Sequence, residues 1–134
     1  MEAISILIAD DHKLIRDTWS FILNTDNRFK VVAECSNGEE AIEQAKQKRP
    51  QIVLMDINMT PVSGLEATRQ IRKVSPGSKI IGVSMHSQPA YAKKMLQIGA
   101  KGYVAVHLGG GVYWLGNGLY SSSFMVHRNC LGRL

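Results

Sequence analysis

The stretch "IVLMDINMTPVSGLEATRQIR" (Ile52–Arg72) decides the fold. Its first four residues form a continuous apolar run, the pattern of a strand covered on both faces. An acid, Asp56, ends the run. After a loop carrying Pro61, Leu65, Thr68 and Ile71 recur at helical spacing and give the next segment one apolar face. A buried strand followed by an amphipathic helix is the repeating unit of a parallel α/β sheet.

Outward from this stretch the unit recurs. "ISILIA" (Ile4–Ala9), "KVVAE" (Lys30–Glu34), "KIIGVS" (Lys79–Ser84) and "GYVAV" (Gly102–Val106) read as four further buried strands. Between them Leu14, Thr18, Phe21 and Ile22, then Ala41, Ile42 and Ala45, then Ala92, Met95, Leu96 and Gly99 each mark the apolar face of a helix. Punctuation agrees: Asn37-Gly38 precedes the second helix, Pro50 follows it, Pro76-Gly77 ends the third and Gly99 stops the fourth. The pattern predicts a doubly wound α/β fold on a five-stranded parallel sheet.

After Val106 the pattern stops. Gly109, Gly110, Gly111, Gly116 and Gly118 would each cost roughly 1 kcal/mol inside a helix, so a stable helix over 109–118 is not expected and a fifth helix is absent or aberrant. From Ala105 to Leu134 there is no Asp, Glu or Lys. The expected organisation is one domain over 1–106 and an atypical tail over 107–134, with no helix-turn-helix effector domain.

A length of 134 residues suits a single domain with a real core, and 45% apolar with 20% charged residues suggests neither a disordered nor a fibrous class. Residues 1–66 hold all 11 acids and a net −4, while residues 67–134 hold no acid and a net +9. Those later basic residues occur singly or in pairs without interleaved aromatics, which reads as solvated helix faces and not as a nucleic-acid surface. Cys35 and Cys130 lack CxxC spacing and suggest free thiols in a reducing cytoplasm. The start "MEAISILIADDH" is expected to be neither a signal peptide nor a membrane span.

In an open parallel sheet, function gathers at the carboxyl ends of the strands. Here that edge carries Asp10-Asp11, Asp56, Ser84 and the segment from Tyr103 to Val106. If the first and third strands are neighbours, three carboxylates converge, and a hard divalent cation such as Mg²⁺ is their natural occupant. A carboxylate beside such a cation can attack phosphorus and become an aspartyl phosphate. An isolated acidic pair would otherwise read as a helix N-cap. Taken alone, Ser84 would be a loop hydroxyl and Tyr103 a core aromatic. His12, His86, His107 and His127 show no metal-ligand spacing and read as solvated or cap-adjacent. "GGGVYW" fits no phosphate-binding loop.

Together, "ILIADDHKLIRD", "IVLMDINMTPVSGLEATRQIR" and "IIGVSMHSQPAYAKKMLQIGAKGYV" resemble the receiver domain of two-component response regulators, the CheY-like superfamily. "ADDH", "GLEAT" and "SMHS" are similar to the LuxR/NarL-type subgroup. The resemblance covers about residues 3–104 and implies strand order 2-1-3-4-5. It implies that Asp56 accepts a phosphoryl group from a sensor histidine kinase, that Asp11, Asp56 and the backbone carbonyl of Asn58 ligate Mg²⁺, and that Asp10 acts through water. It further implies that Ser84 is the switch hydroxyl and Tyr103 the aromatic that follows it inward, with readout on the fourth-helix and fifth-strand face. Such a domain assists its own phosphorylation and dephosphorylation and is not an enzyme toward other substrates.

Two positions depart from the family. Thr60 stands where a proline is usual, with Pro61 following, while Gly64 keeps its spacing. Val106 stands where the family has a lysine that contacts the phosphoryl group. Because resemblance, helix pattern and lysines all stop together near Val104, a changed reading frame or a foreign tail is expected after it; the alternative is a divergent end. In either version the apolar tail, with Tyr113, Trp114 and Phe124, is expected to support self-association, as is the fourth-helix and fifth-strand face. No direct nucleic-acid binding or membrane attachment is expected. The rival reading is a phosphorylation-independent pseudo-receiver; a phosphohydrolase would need an acid/base where Asn58 stands.

Overall fold

The computed structural model describes residues 2–84, 89–106 and 112–116. Along them run β1 (Ile4–Ala9), α1 (Lys13–Asn24), β2 (Phe29–Cys35), α2 (Gly38–Lys48), β3 (Ile52–Asp56), α3 (Gly64–Val74), β4 (Lys79–Ser84), α4 (Pro89–Gln97), β5 (Gly102–Val106) and β6 (Val112–Gly116). The five expected strands and four expected helices are present, and β1 to β5 lie parallel in the order β2-β1-β3-β4-β5. Two neighbouring strands beside the site, β1 and β3, are in register with Ala9 opposite Met55. Parallel strands in register put their next residues, Asp10 and Asp56, side by side.

Local chemistry explains the helix starts. The Asn37 side chain accepts the Glu40 N–H at 2.8 Å and Ser63 accepts the Glu66 N–H at 3.2 Å, so α2 and α3 each begin on a side-chain cap. Past α4, Gly99 has φ of 108°, a left-handed turn that glycine enters without a Cβ penalty. One core, built on Leu7, Val53, Met55, Ile80 and Tyr103 of the sheet, is closed by Ala41, Ala45, Ala67, Ile71, Ala92 and Met95 from α2, α3 and α4.

Two expectations change. The first concerns α1, which has no buried residue: Leu14 and Phe21 are 77% and 74% exposed, and Ile22 is exposed as well. Its half-buried positions are Ile15, Arg16, Trp19, Ser20 and Leu23. The helix carries two apolar stripes at helical spacing, and periodicity alone cannot say which one faces the sheet. The second concerns the region after Val106. Val112–Gly116 is not helical, in line with its glycines, but it is a strand: β6 pairs antiparallel with β5, Gly102 opposite Gly116 and Val106 opposite Val112, and makes the sheet six-stranded. The sheet therefore runs past the expected domain limit at residue 106. Residues 107–111 and 117–134, with Phe124, His107, His127 and Cys130, and the loop with His86, lie outside the described residues.

Candidate functional site

The carboxyl ends of β1, β3 and β4 meet at one edge of the sheet. Asp10 follows β1, Asp56 closes β3 and Ser84 closes β4, with Val83 opposite Asp56 in register. Asp10 and Asp56 are buried, while Asp11 faces solvent. One oxygen from each of Asp10, Asp11 and Asp56 and one ring nitrogen of His12 lie within 4.8 Å of one another. A cavity of about 350 Å³ opens beside them, lined by Asp10, His12, Trp19, Asp56, Asn58 and Ser84 among others.

Backbone and side-chain donors hold these acids in place. The Asn58 N–H donates to Asp56 Oδ1 at 3.1 Å, and the His12 N–H donates to Asp10 Oδ1 at 2.8 Å. Arg16 Nη1 donates to the Asp10 backbone carbonyl at 2.6 Å. Sequence reasoning left His12 as a solvated or cap-adjacent histidine. It does occupy the α1 N-cap, without a side-chain cap bond, but its Nδ1 lies 3.0 Å from Asp10 Oδ1 and 2.8 Å from Asp11 Oδ1. The hydrogen bond to Asp10 and the charge of Asp11 raise its pKa. Its place directly after the acid pair was the available signal. The Asp10-Asp11 pair caps no helix here, since the N-cap residue is His12.

Burial, with the neighbouring Asp10 and Asp11 charges, pushes the Asp56 carboxyl up to about 6, against the lowering effect of the Asn58 N–H. Its unfolded-state value is lower, so the cost of ionising it in the fold is absent in strong acid and grows as pH rises toward the folded value. In the metal-free chain Asp56→Asn should therefore gain roughly 1–3 kcal/mol at about pH 7 and almost nothing at about pH 4. Urea midpoints in chelator across that range check the sign; equal gains at both ends would refute it.

Beside the acids, Ser84 is 2% exposed and Tyr103 1%. Burial raises the Tyr103 pKa, against the lowering effect of the neighbouring Ser84 side chain. Val106 is the last residue of β5, one step past Ala105, which stands opposite Ser84. Thus the structure gathers Asp10, Asp11, Asn58, Asp56 and Ser84 at one edge, ends β5 with Val106 there, and sets Tyr103 two pairs back along the sheet, opposite Gly82. Cys35, by contrast, is a buried free thiol whose pKa burial pushes up to about 12, which leaves it inert.

A parallel α/β domain with a carboxylate cluster at its strand ends is a definite class, and comparison names it. The family model of the response regulator receiver domain matches residues 6–107, and the chain belongs to that family. It is 41% identical over 101 residues to the transcriptional regulatory protein DegU of Brevibacillus brevis, covering 75% of this chain and 43% of that protein. It is 41% identical over 100 residues to the oxygen regulatory protein NreC of Staphylococcus aureus, covering 74% and 46%. The chain thus spans less than half the length of these curated relatives. Among solved structures, a LuxR-family two-component response regulator from Aurantimonas superposes with a TM-score of 0.72 at 33% identity, covering 75% of this chain and 72% of that one. Among the described residues, no helix is long and apolar enough to cross a membrane.

Proposed function

We propose that this chain is a phosphorylatable receiver that accepts a phosphoryl group on Asp56 from a sensor histidine kinase in a Mg²⁺-dependent reaction. The observation that carries the reading is the convergence of Asp10, Asp11 and Asp56 at the ends of β1 and β3, with donor oxygens within 4.8 Å of one another. Three hard carboxylate donors at that spacing fit a divalent cation. Asp11, Asp56 and the Asn58 carbonyl would hold Mg²⁺, with Asp10 acting through water. Bound there, Mg²⁺ neutralises the carboxylates and the phosphoryl oxygens that approach them.

The Asn58 N–H holds Asp56 Oδ1 and so fixes the orientation of the carboxylate. A carboxylate oxygen of Asp56 attacks phosphorus, the bond from phosphorus to the kinase imidazole breaks, and an aspartyl phosphate forms. Ser84, which closes the neighbouring strand β4, donates to the new dianion, with the Tyr103 ring already buried on the next strand. The chain turns over no external substrate in this reading and works in the cytoplasm.

Intact mass after incubation with acetyl phosphate tests it. A single phosphoryl adduct is expected that needs Mg²⁺ and disappears in Asp56→Ala. A second reading, a pseudo-receiver recognised by shape alone, is favoured by Val106 at the family's lysine position. The absence of any adduct in a chain that unfolds cooperatively would decide for it.

A further inference from the structure

β4 is the central strand between β3 and β5, and a glycine in such an interior weakens the strand unless something needs the space. Gly82 stands opposite Met55 of β3 on one side and opposite Tyr103 of β5 on the other. Its backbone has no left-handed φ, since among the described glycines only Gly99 does. The glycine is therefore not required by the backbone. It is required by what lies over it: a Cβ at this position would stand 2.8 Å from Cδ2 and 3.4 Å from Cε2 of the Tyr103 ring, and 3.0 Å from Cε of Met95.

The Met95 tip is the end of a flexible side chain and can move aside. The Tyr103 ring is rigid and buried, so it has no room to tilt where it lies and a Cβ at residue 82 would drive it out of this place as a whole. We propose that Gly82 is a positioning residue that parks the Tyr103 ring inward, across the gap left by its missing side chain and against Met95 of α4, before any phosphoryl group arrives. The inference rests on the receiver reading for its consequence and not for its geometry. Under that reading the inward aromatic belongs to the switched state, so Gly82 biases the fourth-helix and fifth-strand face toward that state in the resting chain. Met95 also receives a weak contact from the Thr68 hydroxyl on α3, 3.8 Å from its sulfur, which ties the ring's position to both helices.

The test reads the ring directly in the full chain labelled with 3-fluorotyrosine, without phosphodonor or metal. Tyr103→Phe assigns the resonance, and a soluble paramagnetic agent reports exposure. In the unsubstituted chain the Tyr103 signal should be protected; in Gly82→Ala it should broaden as an exposed tyrosine does, while circular dichroism stays unchanged. A protected ring in folded Gly82→Ala overturns the proposal, and so does an exposed ring in the unsubstituted chain. Should Gly82→Ala fold poorly, the same substitution in a Tyr103→Leu background decides. With the ring gone, it is expected to leave the urea midpoint of Tyr103→Leu unmoved, and a loss as large as in the parent chain overturns the assignment. None of these readings uses phosphorylation, so a failed phosphoryl adduct would sink the receiver reading and leave this one standing.

Discussion

Gly64→Ala is expected to cost about 3 kcal/mol or more of folding stability, and to remove the Mg²⁺-dependent phosphoryl adduct from whatever chain remains folded. Gly64 opens α3, and its N–H donates to the Ile57 carbonyl at 3.2 Å, so the helix start is pressed against the chain leaving β3. A Cβ there would stand 2.1 Å from the Asp56 carbonyl oxygen, 2.6 Å from Ile57 Cα and 2.8 Å from the Asp56 carbonyl carbon. All three atoms are backbone, so no side-chain rotation relieves the clash. Either α3 lifts from the sheet, with loss of the Ala67, Thr68 and Ile71 packing beneath it, or the Asp56 to Asn58 segment moves and takes the carboxylate out of the cluster. Gly77 supplies the control, because a Cβ there would meet nothing within 4 Å and Gly77→Ala should fall within about 0.5 kcal/mol of the parent. Urea unfolding of both variants checks the contrast; similar midpoints would show that the loop after Asp56 absorbs a methyl group and that the close approach is not needed.

The reach of the sequence can be judged from particular residues. β1 to β5 were legible because strands covered on both faces must be continuously apolar, and short runs of that kind bounded by turn residues seldom occur outside a buried sheet. The acid cluster was legible for a related reason: Asp10, Asp11 and Asp56 each sit at the end of such a run, and sheet topology does the rest. Three features escaped. The inner face of α1 was misassigned because Leu14, Phe21 and Ile22 form a stripe as regular as Ile15, Trp19 and Leu23, and amphipathic spacing does not carry the direction of the sheet. β6 was missed because Val112–Gly116 is short, lacks alternation and is flanked by glycines; what fixes it is pairing with β5, which is not local information. The role of Gly82 was hidden inside a strand that was itself correctly read, although an isolated glycine in a strand is a sign of close approach. Elements decided by composition were readable, and those decided by a partner across the sheet were not.

Val106→Lys is expected to raise the rate of Mg²⁺-dependent phosphorylation by acetyl phosphate on the order of 100-fold, the effect of one charged donor on a developing phosphoryl charge. The position is set by the sheet: Ala105 stands opposite Ser84, which closes β4, so residue 106 lies one step further toward the edge where Asp56 closes β3. In the present sequence that edge gathers three carboxylates, and among the described residues the His12 ring and the Arg16 guanidinium are held beside them, the latter on the Asp10 backbone carbonyl. A lysine from β5 would approach the reaction centre from the side opposite β1. Its ammonium would favour an incoming dianion without competing for the oxygens that suit a metal, and its strongly salt-dependent benefit would mark it as electrostatic. Val106→Met separates charge from bulk, since it offers a long flexible side chain without an ammonium and should leave the rate near that of the parent. A time course of intact mass on the three chains reads the difference. Equal acceleration by lysine and methionine would trace the defect to packing at the end of β5. No acceleration by lysine would mean that β5, in pairing with β6 at Val112, holds residue 106 away from the acids, and the slow step would then lie in the backbone of the β5–β6 hairpin rather than in a missing charge.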